Sequence, residues 1–97
     1  MIGSFHSLGV EDLFNGKNTR AARKLLPRRL WRIAARKLDQ LDSARIPAEL
    51  AVPPGNRLER LVGDRPGQWS IRINDQYRIC FDWSGEMPEK VEIVDYH

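Results

Sequence analysis

The sequence predicts an α+β fold in which two N-terminal helices pack on one face of a small antiparallel β-sheet. Apolar residues recur at helical spacing in the first half of the chain, whereas they alternate with polar residues in the second half. Helical patterns followed by strand patterns are typical of a sheet that carries its helices on one face. A chain of 97 residues suffices for one domain, which we expect to span residues 1–97.

The first helix is predicted between two local signals. Ser7 can cap its N-terminus, and Gly16 falls where a helix end favours a left-handed residue. We expect Leu8, Leu13 and Phe14 to point inward. The basic stretch that follows, up to residue 26, lacks a clear period and predicts a loop or an irregular lead-in.

The second helix is predicted to begin at Pro27, which suits a first helical turn. Its apolar stripe consists of Leu30, Ile33 or Ala34, Leu38 and Leu41. We expect the helix to end near Ser43, because residues that precede a proline avoid the helical region. The prolines of residues 52–56 then predict a rigid connector.

The remaining elements are predicted to be strands. The alternating stretches are residues 57–61, 69–73, 76–83 and 90–94, and a further short strand is expected over residues 1–5. Glycine and proline at residues 63–67 predict a turn, and residues 84–89 a loop. Within the last strand, Val91 and Ile93 are expected to face the core.

The register of the central hairpin follows from its apolar pattern. A two-residue loop would turn the apolar sides of the two strands to opposite faces of the sheet. Pairing Ile73 with Tyr77 keeps those sides together, and it requires a three-residue loop, residues 74–76. On the other face, this register places Arg72 directly opposite Arg78.

Two arginines that face each other predict a bound anion. Like charges directly opposite destabilise a sheet by some tenths of a kcal/mol, roughly. A guanidinium binds phosphate through a bidentate fork and stays charged at neutral pH. The alternative is that an acid such as Asp82 or Glu92 neutralises the pair.

A basic segment precedes the sheet. It contains nine basic residues and no acidic one: Lys17, Arg20, Arg23, Lys24, Arg28, Arg29, Arg32, Arg36 and Lys37. Arg29, Arg32 and Arg36 recur at helical spacing on a side of the second helix away from the core. We interpret the segment as a contact for RNA or the ribosome. An acidic protein partner and simple solubility are the alternatives, although solubility is served by mixed charge.

The terminal sequence VEIVDYH adds groups that can transfer protons. Glu92, Val94 and Tyr96 should share one face of the last strand, so Tyr96 and His97 could reach a phosphate held by Arg72 and Arg78. The unperturbed pKa of histidine, about 6.5, suits proton transfer near neutrality. Together these groups predict metal-independent RNA scission by the ribose 2′-hydroxyl. The alternative is a disordered tail.

Several classes of protein are disfavoured by the composition. Cys80 is the single cysteine, which excludes an internal disulfide and fits a reducing cytoplasm. No apolar run approaches the ~18 residues of a membrane span, and the N-terminus lacks the pattern of a signal peptide. Motifs for nucleotide or metal binding are absent from the sequence, so we expect no cofactor and no metal.

The sequence resembles a known toxin family. The resemblance is carried by the stretch VPPGNRLERLVGDRPGQWSIRINDQYRICFDW (residues 52–83), the terminal VEIVDYH and the start MIGSFHSLGVEDLFNGK. They are similar to the HigB/GraT branch of the RelE superfamily of bacterial toxins. The resemblance implies a RelE-like fold and a ribosome-dependent mRNA endonuclease that cleaves in the decoding site and stops translation. It also implies a cytoplasmic toxin with a HigA-type helix-turn-helix antitoxin, which reaches operator DNA only as a complex.

The resemblance also implies roles for individual residues. Arg78 matches the arginine that stabilises the transition-state phosphate, and Asp95, Tyr96 and His97 match the C-terminal catalytic cluster. Glu59 falls where relatives carry histidine.

One departure from the family lies before the predicted turn. Val62 falls where relatives often carry lysine, so cleavage would rely on Arg60 or Arg65 for that phosphate contact. Two other functions remain open. One is a non-catalytic toxin of this fold that acts by binding the ribosome or gyrase, and the other is a module whose basic segment docks an acidic antitoxin.

Overall fold

The computed structural model describes residues 1–61 and 67–95, and it confirms the α+β class. This part of the chain contains three α-helices and a four-stranded antiparallel sheet with strand order β1-β2-β3-β4. The helices are α1 (Leu8–Phe14), α2 (Arg20–Leu25) and α3 (Trp31–Ser43), and the strands are β1 (Glu59–Arg60), β2 (Gln68–Arg72), β3 (Tyr77–Asp82) and β4 (Glu89–Asp95). Short 3-10 turns span Arg28–Leu30, Pro47–Ala51 and Pro54–Asn56. Within these ranges, no helix has the length and apolar character that crossing a membrane requires.

The helices differ from the prediction in number. The basic segment expected to be irregular contains α2, whose N-cap Thr19 accepts a hydrogen bond from the Ala22 amide at 3.2 Å. Ala22 is fully buried, because α2 packs against α1. A helix of six residues is too short to show a clear apolar period in the sequence.

The first helix follows the prediction at its end but not at its start. Gly16 has φ +75°, as a left-handed residue after a helix should. Ser7 occupies the N-cap position, yet its side chain makes no capping hydrogen bond within the described residues. Leu13 is buried, but Leu8 is 64% exposed, so the prediction that Leu8 points inward is wrong.

The third helix matches its prediction more closely. It ends at Ser43 as predicted, but it begins at Trp31 rather than at Pro27, and a 3-10 turn that contains Leu30 precedes it. The predicted apolar stripe of Leu30, Ala34, Leu38 and Leu41 is buried. Of the two candidates for the second position, Ala34 is fully buried and Ile33 is 37% exposed.

The N-terminal segment forms one bridge rather than the expected strand. Phe5 pairs in parallel with Val91 of β4. The Gly3 amide donates to the Pro88 carbonyl at 2.8 Å, and the Val91 amide donates to the Ser4 carbonyl at 3.2 Å. The segment therefore lies along the outer edge of β4.

The sheet has the predicted register. Ile71 lies opposite Ile79, and Arg72 opposite Arg78. The loop 74–76 is closed by a hydrogen bond of 2.9 Å from the Ile73 amide to the Tyr77 carbonyl. The core joins the buried side chains of the three helices to one face of the sheet, which contributes Ile71, Ile73, Ile79, Phe81, Val91 and Ile93.

Candidate active site

The face of the sheet opposite the apolar core carries the two paired arginines. Neighbouring pairs on this face are Arg72 with Arg78 and Ser70 with Cys80. Ser70 and Cys80 are fully buried, and the Arg78 side chain is 10% exposed. The centre of this face, formed by Ser70, Cys80 and Arg78, is therefore buried rather than solvated.

Arg78 is held by several polar groups. Its Nε donates to Ser70 Oγ at 2.8 Å, and its Nη2 donates to the Arg57 carbonyl at 2.6 Å. Nη2 also lies 3.9 Å from Glu59 Oε2. Because these contacts fix the guanidinium on two sides, the group is oriented before any ligand arrives.

The Arg57 carbonyl reaches Arg78 because the chain turns sharply at that residue. Arg57 has φ +46°, a left-handed conformation that is uncommon for residues other than glycine. It follows the 3-10 turn Pro54–Asn56, and the fully buried Asn56 anchors that turn.

Three side-chain hydrogen bonds hold Asn56, and two of them connect it to α3. Its Nδ2 donates to the Leu50 carbonyl and to Gln40 Oε1, both at 3.1 Å. Its Oδ1 accepts from Lys37 Nζ at 2.7 Å. The wall of the site is thereby tied to the third helix.

Arg72 is more accessible than Arg78. Its side chain is 31% exposed, and Nη2 contacts Oδ1 of Asp75 in the hairpin loop. Each arginine of the pair thus lies near an acid, namely Asp75 for Arg72 and Glu59 for Arg78. The sequence had suggested two other acids for this role. Of those, Asp82 lies 3.9 Å from Lys90, and Glu92 lies 3.5 Å from His6.

A pocket of about 250 Å³ opens beside the arginine pair. It is lined by Arg57, Glu59, Arg72, Asn74, Asp75 and Arg78. Three guanidiniums outnumber two carboxylates, so the lining is net positive. The pKa of nearby Lys37 is lowered by burial and by the positive charges of Arg72, Arg36 and Arg78.

The predicted site residues do not all meet in this pocket. Glu59 lines it together with the arginine pair. Arg60 instead lies opposite Trp69, with its guanidinium 5.6 Å from the centre of that ring. Because Trp69 is in phase with the apolar face, the register directs Arg60 away from the pocket.

Asp95 lies at the end of β4, opposite Tyr77, and its Oδ2 accepts a hydrogen bond from Gln76 at 3.0 Å. The register gives it the phase of Ile93, whereas Val94 lies opposite Arg78. The prediction that Val94 shares the arginine face is confirmed.

Four residues named by the sequence lie outside the described ranges: Val62, Arg65, Tyr96 and His97. Their roles remain predictions.

The basic segment divides into two groups. Lys17, Arg29, Arg32 and Arg36 are exposed. Lys37 is partly buried against Asn56 and close enough to the arginine pair for its pKa to respond. Lys37 therefore supports the turn at Asn56 next to the pocket, whereas the sequence grouped it with the basic segment interpreted as a contact for RNA or the ribosome.

The sequence singled out the arginines but missed the groups that orient them. Ser70 had a usable signal, because it lies one pair from Arg78 on the same predicted face. Asn56 and the Arg57 carbonyl had none, because their contacts join distant segments without a period.

The fold and its pocket define a small α+β protein with two paired arginines in a net positive pocket. A family model described as "RelE-like toxin of type II toxin-antitoxin system HigB" matches residues 4–97. The match covers nearly the whole chain, and the chain belongs to this family of toxins.

Two curated proteins are similar to part of the chain. The chain is 45% identical to Toxin HigB-1 of Vibrio cholerae serotype O1 over 60 residues, which are 62% of this chain and 63% of that protein. It is 36% identical to an uncharacterized protein of Haemophilus influenzae over 58 residues, which are 60% of this chain and 57% of that protein. The chain thus spans less than two thirds of the length of each relative.

Proposed function

We propose that this toxin is a ribosome-dependent endoribonuclease that cleaves mRNA in the decoding site. The observation that carries the proposal is the orientation of Arg78 by Ser70 and the Arg57 carbonyl, beside Arg72 in a net positive pocket. Catalysis by charge stabilisation requires donors that are in place before charge develops. A guanidinium fixed on two sides meets that requirement for a phosphate in transition.

The proposed reaction is attack of the ribose 2′-oxygen on the adjacent phosphorus. A base removes the 2′-hydroxyl proton, the new P–O bond forms, and the bond to the 5′-oxygen breaks as an acid protonates that oxygen. The products are a 2′,3′-cyclic phosphate and a 5′-hydroxyl. Arg78 and Arg72 would stabilise the pentacoordinate phosphorane.

The acid and base are assigned to the C-terminal residues. His97 has the residue type best suited to proton transfer near neutrality, and Tyr96 can stack on a base or donate a hydrogen bond. Asp95 would orient one of these groups from its position at the end of β4. Glu59, which lines the pocket, is a further carboxylate proposed for this chemistry.

The proposed partners follow from the same family relationship. A HigA-type helix-turn-helix antitoxin would neutralise the toxin and would carry it to operator DNA only as a complex. The ribosome and mRNA would be met in the cytoplasm, and the exposed face formed by Arg29, Arg32 and Arg36 would contribute to ribosome contact.

The test is cleavage by purified toxin on ribosomes programmed with a defined mRNA. We expect new mRNA ends with 2′,3′-cyclic phosphates, and Arg78→Ala or His97→Ala should lower the cleavage rate by about 10²-fold or more. Unchanged cleavage in both variants would reject the catalytic assignment. Arrested growth with intact mRNA would instead favour a toxin that acts by binding the ribosome or gyrase.

A further inference from the structure

Asn74 stands out within the pocket because its amide is held in one orientation. It is the first residue of the loop between β2 and β3, and its side-chain Oδ1 accepts two main-chain hydrogen bonds. The donors are the Gln76 amide at 3.0 Å and the Tyr77 amide at 2.8 Å. Only the oxygen of an asparagine amide can accept from an N–H group, so these bonds determine which branch is the nitrogen.

The fixed oxygen leaves Asn74 with a donor and no remaining acceptor role. Its Nδ2 has no hydrogen-bond partner among residues 1–61 and 67–95. Asn74 lines the same pocket as Arg72 and Arg78. A residue that lines the pocket with two guanidiniums therefore carries an uncharged amide donor without a partner in these ranges.

The two kinds of donor suit different parts of a nucleotide. Guanidiniums favour the charged phosphate, which gains most from a charge-assisted bond. A neutral amide binds a charged acceptor only slightly better than an uncharged one. It therefore distinguishes nucleotides by whether the atom that faces it can accept a hydrogen bond. Because Oδ1 is occupied, Asn74 cannot make the bidentate contact with adenine N6 and N7 that a free asparagine makes.

We propose that Asn74 is a specificity residue that donates through Nδ2 to an uncharged acceptor of the nucleotide whose phosphate Arg72 and Arg78 hold. The inference rests on the proposed function and deepens it. The acceptor is an oxygen or ring nitrogen of the base, or the ribose 2′-oxygen. Asn74 would thereby help to distinguish one nucleotide from another, whereas Arg72 and Arg78 bind the phosphate.

The test compares Asn74→Ser and Asn74→Asp with the wild-type toxin on programmed ribosomes. Both variants keep an oxygen that can accept from the loop amides, and both lack the amide donor. The serine variant is neutral, so it separates loss of the donor from added charge. Asn18→Ser, in the exposed loop before α2, is the matched control.

We expect kcat/KM for cleavage to fall about 10-fold in both Asn74 variants, as loss of one neutral hydrogen bond predicts. Thermal unfolding should stay near the wild-type midpoint, and the control should cleave normally. Substrates with each of the four bases at the cleavage site then locate the acceptor. A loss confined to certain bases assigns a base edge, and a loss that disappears with a 2′-deoxy nucleotide 3′ of the cleaved linkage assigns the ribose. The nucleotide 5′ of the linkage keeps its 2′-hydroxyl in every substrate, because that hydroxyl is the proposed nucleophile.

Two results would overturn the inference. If the wild type cleaves and both Asn74 variants cleave with the same rate and base preference, Asn74 serves only the loop, and the proposed endonuclease activity stands. If Asn74→Asp cleaves normally while Asn74→Ser unfolds, the role is again that of a loop cap. Absence of cleavage by the wild type would remove the proposed function and this inference together.

Discussion

The protein presents arginine in two contrasting settings. Arg78 lies against the sheet with 10% of its side chain exposed, and hydrogen bonds to Ser70 and the Arg57 carbonyl hold it. Arg29, Arg32 and Arg36 stand exposed on α3 and its lead-in turn. The charge is the same in both settings, but the freedom of the side chain is not.

The exposed and the buried arginines are suited to two different electrostatic roles. An exposed arginine is screened within a Debye length of roughly 8–10 Å, and it contributes mainly long-range attraction to a polyanion. A buried and oriented arginine is screened less and loses little entropy when it meets a phosphate. We therefore expect the exposed arginines Arg29, Arg32 and Arg36, here called the α3 face, to determine how strongly the toxin binds the ribosome. The arginines of the pocket should determine the rate of cleavage.

The strongest test of this difference replaces an arginine with lysine once in the pocket and once on the exposed face. Arg78→Lys keeps the charge but cannot reproduce the fork that reaches Ser70 and Arg57 together. We expect the cleavage rate on bound ribosomes to fall by about 10²-fold. Arg32→Lys on α3 should leave that rate within about twofold. Equal effects at the two positions would show that charge alone matters.

A smaller effect is expected when the support of Arg78 is removed. Ser70→Ala leaves the Arg78 Nε without its acceptor in a buried place, and it should lower the free energy of unfolding by roughly 1–3 kcal/mol. Cleavage should fall about 10-fold because the guanidinium is less well oriented. The matched control is Ser84→Ala in an exposed loop, which should change neither quantity. Denaturant titration and single-turnover cleavage measure the two effects, and full activity in Ser70→Ala would show that the orientation of Arg78 is unimportant.

The exposed face is tested by its dependence on salt. Replacing Arg29, Arg32 and Arg36 together with alanine should reduce the slope of log affinity against log salt by about two units, at roughly 0.7 for each single-stranded phosphate contact. The cleavage rate at saturating ribosome concentration should stay unchanged. If ribosome affinity were unaffected and antitoxin affinity fell, the α3 face would belong to the protein partner.

The smallest expected effect is on the pH dependence of stability, and it concerns Lys37. This residue lies on α3 and its pKa responds to the pocket arginines Arg72 and Arg78. Burial and the nearby arginines lower its pKa from 10.5, so the unfolded chain binds a proton more tightly than the folded protein. The resulting penalty is fully present at low pH and is lost as pH rises through the folded pKa toward 10.5. The free energy of unfolding should therefore rise with pH more steeply in the wild type than in Lys37→Met over this alkaline range.

The control for Lys37→Met is Lys24→Met, which removes the same charge from an exposed position on α2. Denaturant titrations across the alkaline range give the comparison. Identical slopes for the wild type and Lys37→Met would place Lys37 with the solvated basic residues after all.

The sequence specified the sheet better than the surroundings of the site. Alternation of apolar residues determined the pairing of Ile71 with Ile79, and the juxtaposition of Arg72 and Arg78 followed from it. The third helix could be predicted equally well, because its apolar residues recur over several turns. Short elements such as α2 were not, because six residues show too little of a period.

The orientation of Arg78 depends on contacts that no local pattern encodes. The Arg57 carbonyl reaches it from 21 residues away, through a left-handed turn that Asn56 anchors to α3. The sequence predicts that Arg60 or Arg65 compensates for Val62. The register turns Arg60 toward Trp69 instead, because a one-residue step along a strand changes the face.

The pairing of the N-terminal segment with β4 affects whether other chains can add to that edge of the sheet. A strand at the edge of a sheet offers unpaired amides and carbonyls on which another chain can add. Residues 3–6 occupy those groups from Pro88 to Val91, while the opposite edge strand, β1, is only two residues long. Addition of a foreign strand next to Val91 would first require peeling residues 3–6 away. Residues 3–6 therefore protect this edge of β4 against the addition of a foreign strand.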